Sequence, residues 1–268
     1  VEKIKRGLYA DNPIVLIRGC PTPYIKKPTP TSGYIDECEI SESVSFFVGL
    51  YELLNLKPFS VKGENGDRII RHVVPSESIK GQIGSQGYKY AFGTHVDNPH
   101  LLLMSENCDE NSKIERAPEI LGLLSQRAQY DVSTNIIMLK DIVNILPKEV
   151  TTELLKNNFL VNSPESFSNQ SNRIVPLLVK YKNTYISRFD MHNVKPMTTL
   201  AKDAFSYLKK TIDEFPKSRI VLTEGDMLLF NNQLTIHSRD SFKTCFNGNE
   251  RWLIRIYGNN KNKDGNYE

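Results

Sequence analysis

The C-terminal end of the chain reads as a succession of short strands separated by turns, and this pattern constrains the fold more than any other feature. Gly225-Asp226 is a turn signal. Met227 to Phe230 follows as an apolar strand, another strand lies around Thr235 to His237, and Arg251 to Tyr257 is a last one. Near the other end, Pro13-Ile-Val-Leu-Ile-Arg-Gly19 is a β-branched run closed by glycine, which predicts a buried strand. Strands at both ends enclose a more helical middle, and neither a parallel α/β repeat nor an internal repeat is visible. The expected fold is mainly β with appended helices, built on an antiparallel barrel or a double-stranded β-helix (jelly roll) core.

Periodicity places the other elements. Val44, Phe47, Val48, Tyr51 and Leu54 recur at three- and four-residue intervals, predicting a helix over 41–57 with Ser41 as N-cap. A second helix is predicted over 198–215, with Leu200, Ala204, Leu208, Ile212 and Phe215 on one side. The pattern over 59–74, around Gly63 and Gly66, suggests a hairpin, and 88–103 carries strand-like residues. Residues 118–130 are expected to form a short helix. Ile174 to Lys180 and Thr184 to Phe189 read as strands joined by Tyr181-Lys-Asn183. Residues 150–172, a polar helix and then a loop of Ser and Asn, form a candidate lid or insertion within a single domain spanning 1–268.

Composition narrows the class of partner. With 34 basic and 31 acidic residues the net charge is only +3, which provides no electrostatic footprint for nucleic acid or an anionic membrane. The apolar runs are far shorter than the ~20 residues of a membrane span, and Val1-Glu2-Lys3-Ile4-Lys5 has no apolar signal region. A small-molecule substrate and a cytoplasmic location are expected. Cys20, Cys38, Cys108 and Cys245 form no C-x-x-C pair and are expected to be reduced core thiols.

His95-Val-Asp97 lies at the end of an apparent strand, where residues two apart share a face, so an imidazole and a carboxylate can converge on one ion. His237, near the end of another strand, is the natural third ligand. Two imidazoles and one carboxylate leave three octahedral positions open, the arrangement of non-haem Fe(II) oxygenases. A His-x-Asp tripeptide is weak evidence alone, because a histidine hydrogen-bonded at a strand end gives the same pattern. Arg251 and Arg255 share one side of the last strand. They face either water or a barrel interior, where each would need an anion and could grip a carboxylate with two hydrogen bonds.

The run Gly225-Asp-Met-Leu-Leu-Phe-Asn-Asn232, then His237-Ser-Arg-Asp-Ser-Phe242, then Asn247-Gly-Asn-Glu-Arg251-Trp-Leu-Ile-Arg255 resembles the end of the clavaminate synthase-like branch of the TauD family. Gln82 to Leu102, with His95-Val-Asp97, resembles the first metal-ligand strand of that branch, and Leu16-Ile-Arg-Gly19 its N-terminal start. The resemblance implies that His95, Asp97 and His237 hold Fe(II) and that Arg251 pairs with the distal carboxylate of 2-oxoglutarate, O2 being the oxidant. It further implies Arg255 on the substrate's α-carboxylate, Asp190 as a substrate-contacting acid, Ser112 beside 2-oxoglutarate, and Gln82 and Ser85 in the substrate pocket. Many members carry Glu at the position of Asp97.

The implied reaction is hydroxylation of an unactivated carbon of a free L-amino acid, producing succinate and CO2. The substrate would be basic, lysine or arginine, if Asp190 reaches the end of its side chain. The alternatives are a TauD-like oxygenase acting on a sulfonate or other small acid, a zinc hydrolase with the same ligands, and a metal-binding jelly roll without oxygenase activity.

Overall fold

Trp252–Asn260, the longest strand among the described residues, is bordered by three others, and the architecture is laid out around it. The computed structural model describes residues 1–10, 12–23, 27–76, 86–107 and 114–261. Along the chain come helix α1 (Glu2–Leu8), strand β1 (Ile14–Ile17), helix α2 (Ser41–Leu53) and strands β2 (Leu56–Phe59), β3 (Arg71–Val73) and β4 (Phe92–His95). Next are β5 (Ile120–Arg127), β6 (Thr134–Met138), α3 (Leu139–Ile145), α4 (Lys148–Leu154), β7 (Phe159–Asn162) and β8 (Asn172–Val175). They are followed by β9 (Leu178–Tyr181), β10 (Thr184–Ser187), β11 (Val194–Pro196) and α5 (Thr199–Glu214). The chain returns through β12 (Ser218–Ile220), β13 (Met227–Asn231), β14 (Thr235–Arg239) and β15 (Trp252–Asn260).

The strands form a larger sheet ordered β1-β13-β5-β15-β2, with β3 also on β15, and a second sheet ordered β12-β6-β14-β4. Pairings within both are antiparallel. Side-chain alternation sorts the core into layers. Leu121, Leu123, Phe230 and Leu253 of the larger sheet pack with Ile136 of the second. Ile120, Leu124, Met227, Leu229, Ile254 and Ile256 point the other way, onto Phe47 and Tyr51 of α2. Ile137 and Ile236, on the far face of the second sheet, pack with α3, α5 and β7. Among the described residues no helix is long and apolar enough to cross a membrane.

Residues 118–130 are not a helix: they contain β5, whose residues from Ile120 to Gln126 are all buried. A strand covered on both faces loses the period-two signal and looks like any apolar run. Gly122 is needed there, because a Cβ would lie 2.6 Å from the Phe47 ring and the Tyr51 hydroxyl. Absence of a side chain lets α2 sit directly on the sheet, where the Tyr51 hydroxyl donates to the Ile256 carbonyl at 2.8 Å. Nor do residues 59–74 close a hairpin. β2 and β3 pair with successive stretches of β15 (Tyr257 opposite Phe59, Leu253 opposite Val73), which is long enough to take both.

The remaining differences are smaller. β1 is an edge strand, half-buried rather than buried, with Leu16 37% exposed. α2 starts at Ser41 but has no side-chain cap, and it ends before Asn55, which takes a left-handed φ of 56°. Within 150–172 the helix stops at Leu154, and Phe159–Asn162 is the middle strand of a sheet ordered β11-β7-β8. The β9–β10 hairpin turns at Lys182, as the sequence predicts. In α5, Thr198 caps the Ala201 N–H, while the buried face is Ala201, Ala204, Leu208 and Ile212; Leu200, one position out of phase, is 67% exposed. Among the described cysteines Cys20 is a core thiol while Cys38 and Cys245 are exposed; Cys108 lies outside the described residues.

Candidate active site

Adjacent antiparallel strands bring the two histidines together. β14 pairs with β4 so that His237 stands opposite His95, with ring centroids 4.1 Å apart. Asp97 follows β4 by two residues, and its main chain is clipped by the side chain of buried Asn232. The Asp97 N–H donates to Asn232 Oδ1 at 2.8 Å, and Asn232 Nδ2 donates back to the Asp97 carbonyl at 3.0 Å. Asp97 Oδ1 lies 3.1 Å from His95 Nε2 and 3.6 Å from His237 Nε2, and one donor atom from each of the three residues falls within 4.8 Å of the others.

The protonation pattern suits a metal. His95 Nδ1 donates to the Gly93 carbonyl at 2.7 Å, which turns Nε2 toward Asp97 and His237, where a metal ion would meet it. Burial, helped by the neighbouring His95, pushes His237 down to about 4, so it is a neutral imidazole at pH 7. Burial alone would push Asp97 up, but contacts to His237 and His95 and the charge of Arg255 hold it well below the usual carboxylate range. Burial opposes charge on His95, but the contact and charge of Asp97 raise its pKa, so a metal ion at Nε2 would take the place of a proton there; with neutral His237 and the ionised Asp97 carboxylate, this face is a donor set for a hard or borderline divalent ion.

A cleft enclosing about 480 Å³, its open mouth included, contains the three donors together with Thr134, Arg239, Arg251 and Arg255, walled by Val73, Phe92, Leu121, Leu123 and Leu253. Arg251 is 5% exposed and has no hydrogen bond or ion pair among the described residues. Burial, reinforced by the nearby cation Arg239, pushes it down to about 9. It is still charged at neutral pH and lacks an anion among the described residues. Arg255 differs: it pairs with Glu64 Oε1 at 2.6 Å and lies 3.4 Å from Asp97 Oδ2. Burial opposes its charge, but Glu64, Tyr257 and Asp97 outweigh burial and raise its pKa. Glu64 also binds Arg71 at 2.7 Å and accepts from Asn98 at 3.0 Å, completing a buried charge network.

Asp190 lies beside the site, its backbone bridged to His95 across from β14. Its carboxylate is turned into its own loop, accepting the N–H groups of His192 (2.8 Å) and Asn193 (3.0 Å) and the Asn193 side-chain amide (2.7 Å). Gln82, Ser85 and Ser112 lie outside the described residues. Sequence reasoning missed Thr134, Arg239, Asn232, Glu64 and Tyr257. Arg239 could have been found, since it stands two residues beyond His237 on one strand and so shares its face. Glu64 and Tyr257 carry no local signal, because their partners are distant in sequence.

A mainly antiparallel β protein with a two-histidine, one-carboxylate face and an anion-seeking arginine in the same cleft has the attributes of a mononuclear metal centre with open coordination positions. No family model matches the chain. It is 24% identical over 251 residues, 91% of this chain and 70% of the other, to the L-asparagine oxygenase of Streptomyces coelicolor (strain ATCC BAA-471 / A3(2) / M145). To clavaminate synthase 2 of Streptomyces clavuligerus it is 30% identical over 69 residues, 26% of this chain and 21% of that protein. Among solved structures, asparagine oxygenase with Fe(II), 2S,3S-3-hydroxyasparagine and succinate superposes with a TM-score of 0.78 at 20% identity, covering 96% of this chain and 79% of that one. The non-haem iron oxygenase OrfP with Fe and α-ketoglutaric acid superposes with a TM-score of 0.76 at 20% identity, covering 96% and 78%. The chain is thus similar in sequence to an asparagine oxygenase and, over a shorter stretch, to a clavaminate synthase, and it shares the fold of non-haem iron oxygenases.

Proposed function

We propose that this protein is an Fe(II)- and 2-oxoglutarate-dependent dioxygenase that hydroxylates an unactivated carbon of a free L-amino acid, with His95, Asp97 and His237 as the iron ligands. The observation that carries this reading is the pairing of that donor face with Arg251, a buried cation without an anion among the described residues, in one cleft. Iron bound there with 2-oxoglutarate supplies the oxidising chemistry, in which O2 is consumed, 2-oxoglutarate becomes succinate and CO2, and a substrate C–H becomes C–OH. Arg251 receives the distal carboxylate of the co-substrate, and the Thr134 hydroxyl in the same cleft is placed to add a hydrogen bond. Val73, Phe92, Leu121 and Leu253 keep water from the reacting end.

Charge balance supports Arg255 as the anchor for the α-carboxylate. Arg71 and Arg255 face Glu64 and Asp97, two cations against two anions. Once Asp97 is committed to a divalent ion, Glu64 alone opposes the two guanidinium groups, and a carboxylate restores the balance. Asparagine oxygenase with 3-hydroxyasparagine and OrfP with hydroxylated arginines lend weight to an amino-acid substrate. A basic side chain would join the N–H donors already on Asp190.

On this reading the two principal sheets are the faces of a double-stranded β-helix, the chain is one domain, and 150–172 borders the substrate entrance. Free thiols at Cys20, Cys38 and Cys245 favour the reducing cytoplasm. The test is to add Fe(II) and 2-oxoglutarate without oxygen, watch for a weak visible charge-transfer band, and then screen the proteinogenic amino acids for substrate-dependent succinate and a gain of one oxygen. No band, or the same band with Asp97→Ala, would refute the metal assignment; a band with a blank screen would refute the free amino acid.

A further inference from the structure

The two oxygens of Asp97 face different partners. Oδ1 is on the histidine side, at 3.1 Å from His95 Nε2 and 3.6 Å from His237 Nε2. Oδ2 points to β15, where it accepts the Tyr257 hydroxyl at 2.9 Å and lies 3.4 Å from Arg255 Nη1. A phenol has one proton to donate, and its other neighbour, Glu64 Oε1 at 3.3 Å, already takes Arg71 at 2.7 Å and Arg255 at 2.6 Å. The short contact to Asp97 is the one the proton serves. Tyr257 is buried, its ring lying under the Arg255 guanidinium, 4.0 Å from the ring centroid, and 6.0 Å from that of Phe59. The ring that carries the hydroxyl is thus packed against Arg255 and Phe59.

How many oxygens Asp97 gives a metal decides what else can bind. Two imidazoles and one carboxylate oxygen leave three of six octahedral positions, enough for a chelating 2-oxo acid and oxygen; a second carboxylate oxygen would leave two. Resting on the iron-site reading above, we propose that Tyr257 is a positioning residue: its hydroxyl, backed by the Arg255–Glu64–Arg71 network, holds Asp97 Oδ2 off the metal so that Asp97 contributes a single oxygen. Neither Tyr257 nor the network was expected from sequence.

The test is a Co(II) titration, followed by visible absorption, of the full chain beside Tyr257→Phe and Asp97→Ala, with thermal melts of the metal-free proteins. The phenyl ring of Tyr257→Phe keeps the Phe59 and Arg255 contacts, so the variant is expected to fold, to bind Co(II) about 10–100-fold more weakly, as loss of an outer hydrogen bond to a ligand does, and to show altered cobalt bands. Affinity and bands equal to the parent, even with a lowered melting temperature, would mean a structural role only and would overturn the proposal. Independently of any variant, the carboxylate stretches in the metal-loaded minus metal-free infrared difference spectrum of the parent should have the wide splitting of one-oxygen coordination, and a narrow, bidentate splitting would equally overturn it. Failure of the parent to bind Co(II), or unchanged binding by Asp97→Ala, would instead bring down the iron-site reading itself.

Discussion

At Arg251 a guanidinium is buried beside Arg239 with no carboxylate among the described residues to compensate it, an arrangement that costs several kcal/mol and persists in proteins when a ligand supplies the anion. Arg251→Met is therefore expected to raise the melting temperature of the metal-free protein while weakening 2-oxoglutarate binding by about 10–150-fold, the equivalent of ~1.5–3 kcal/mol for a charged hydrogen-bonded contact. Calorimetric titration and a melt with and without 2-oxoglutarate measure both effects; a variant melting lower than the parent would argue that Arg251 has a structural partner. Glu64 is the opposite case. It holds Arg71 and Arg255 together in a buried site, so Glu64→Ala strands Arg71, leaves Arg255 with Asp97 at 3.4 Å, and should lower unfolding free energy by about 3–5 kcal/mol, read as a shift of denaturant midpoint at constant slope. A shift below about 1 kcal/mol would show that the network relaxes freely.

Among the elements, β5 and α2 depend on each other through a missing side chain. Gly122 lets the rings of Phe47 and Tyr51 approach the strand backbone closely. Gly122→Ala should overpack this layer and cost about 1–3 kcal/mol, and combining it with Phe47→Leu should recover part of the loss; purely additive effects would contradict the contact. The same pair shows where local reading works. α5 is legible because one face is apolar: Ala204, Leu208 and Ile212 are buried as the spacing predicts, while Leu200, expected on the same side, is exposed. β5 was mistaken for a helix because both of its faces are covered, by α2 and by the second sheet, and a run without a polar face has no readable period.

On the scale of the molecule, buried histidines away from the candidate metal face link stability to pH. Burial pushes both His72 and His100 from an ordinary value of 6.5 down to about 4, and the Trp252 indole N–H occupies His72 Nδ1 at 3.1 Å. The unfolded chain takes up protons below 6.5 that the folded protein refuses until about 4, so stability falls as pH drops through that window, by up to about 3 kcal/mol per histidine. Glu64, whose pKa burial raises but Arg255 and Arg71 lower on balance, contributes stability above its ordinary value that is lost only at more acid pH. Denaturant melts of the metal-free protein from pH 7.5 to 5 should show the histidine slope; a flat profile there would mean these rings are already hydrated. The sequence alone determined the antiparallel β character, the α5 helix, the β9–β10 hairpin and the nearness of His95 and Asp97, because each of these is encoded between near neighbours, although Asp97 lies past the end of β4 and is aimed by Asn232. Only the tertiary structure decided that His237 stands opposite His95, that β2 and β3 share β15, and that Arg255 is matched by Glu64 while Arg251 is not. Those facts depend on strand register and burial between distant segments, where charges find their partners only after the sheets have packed.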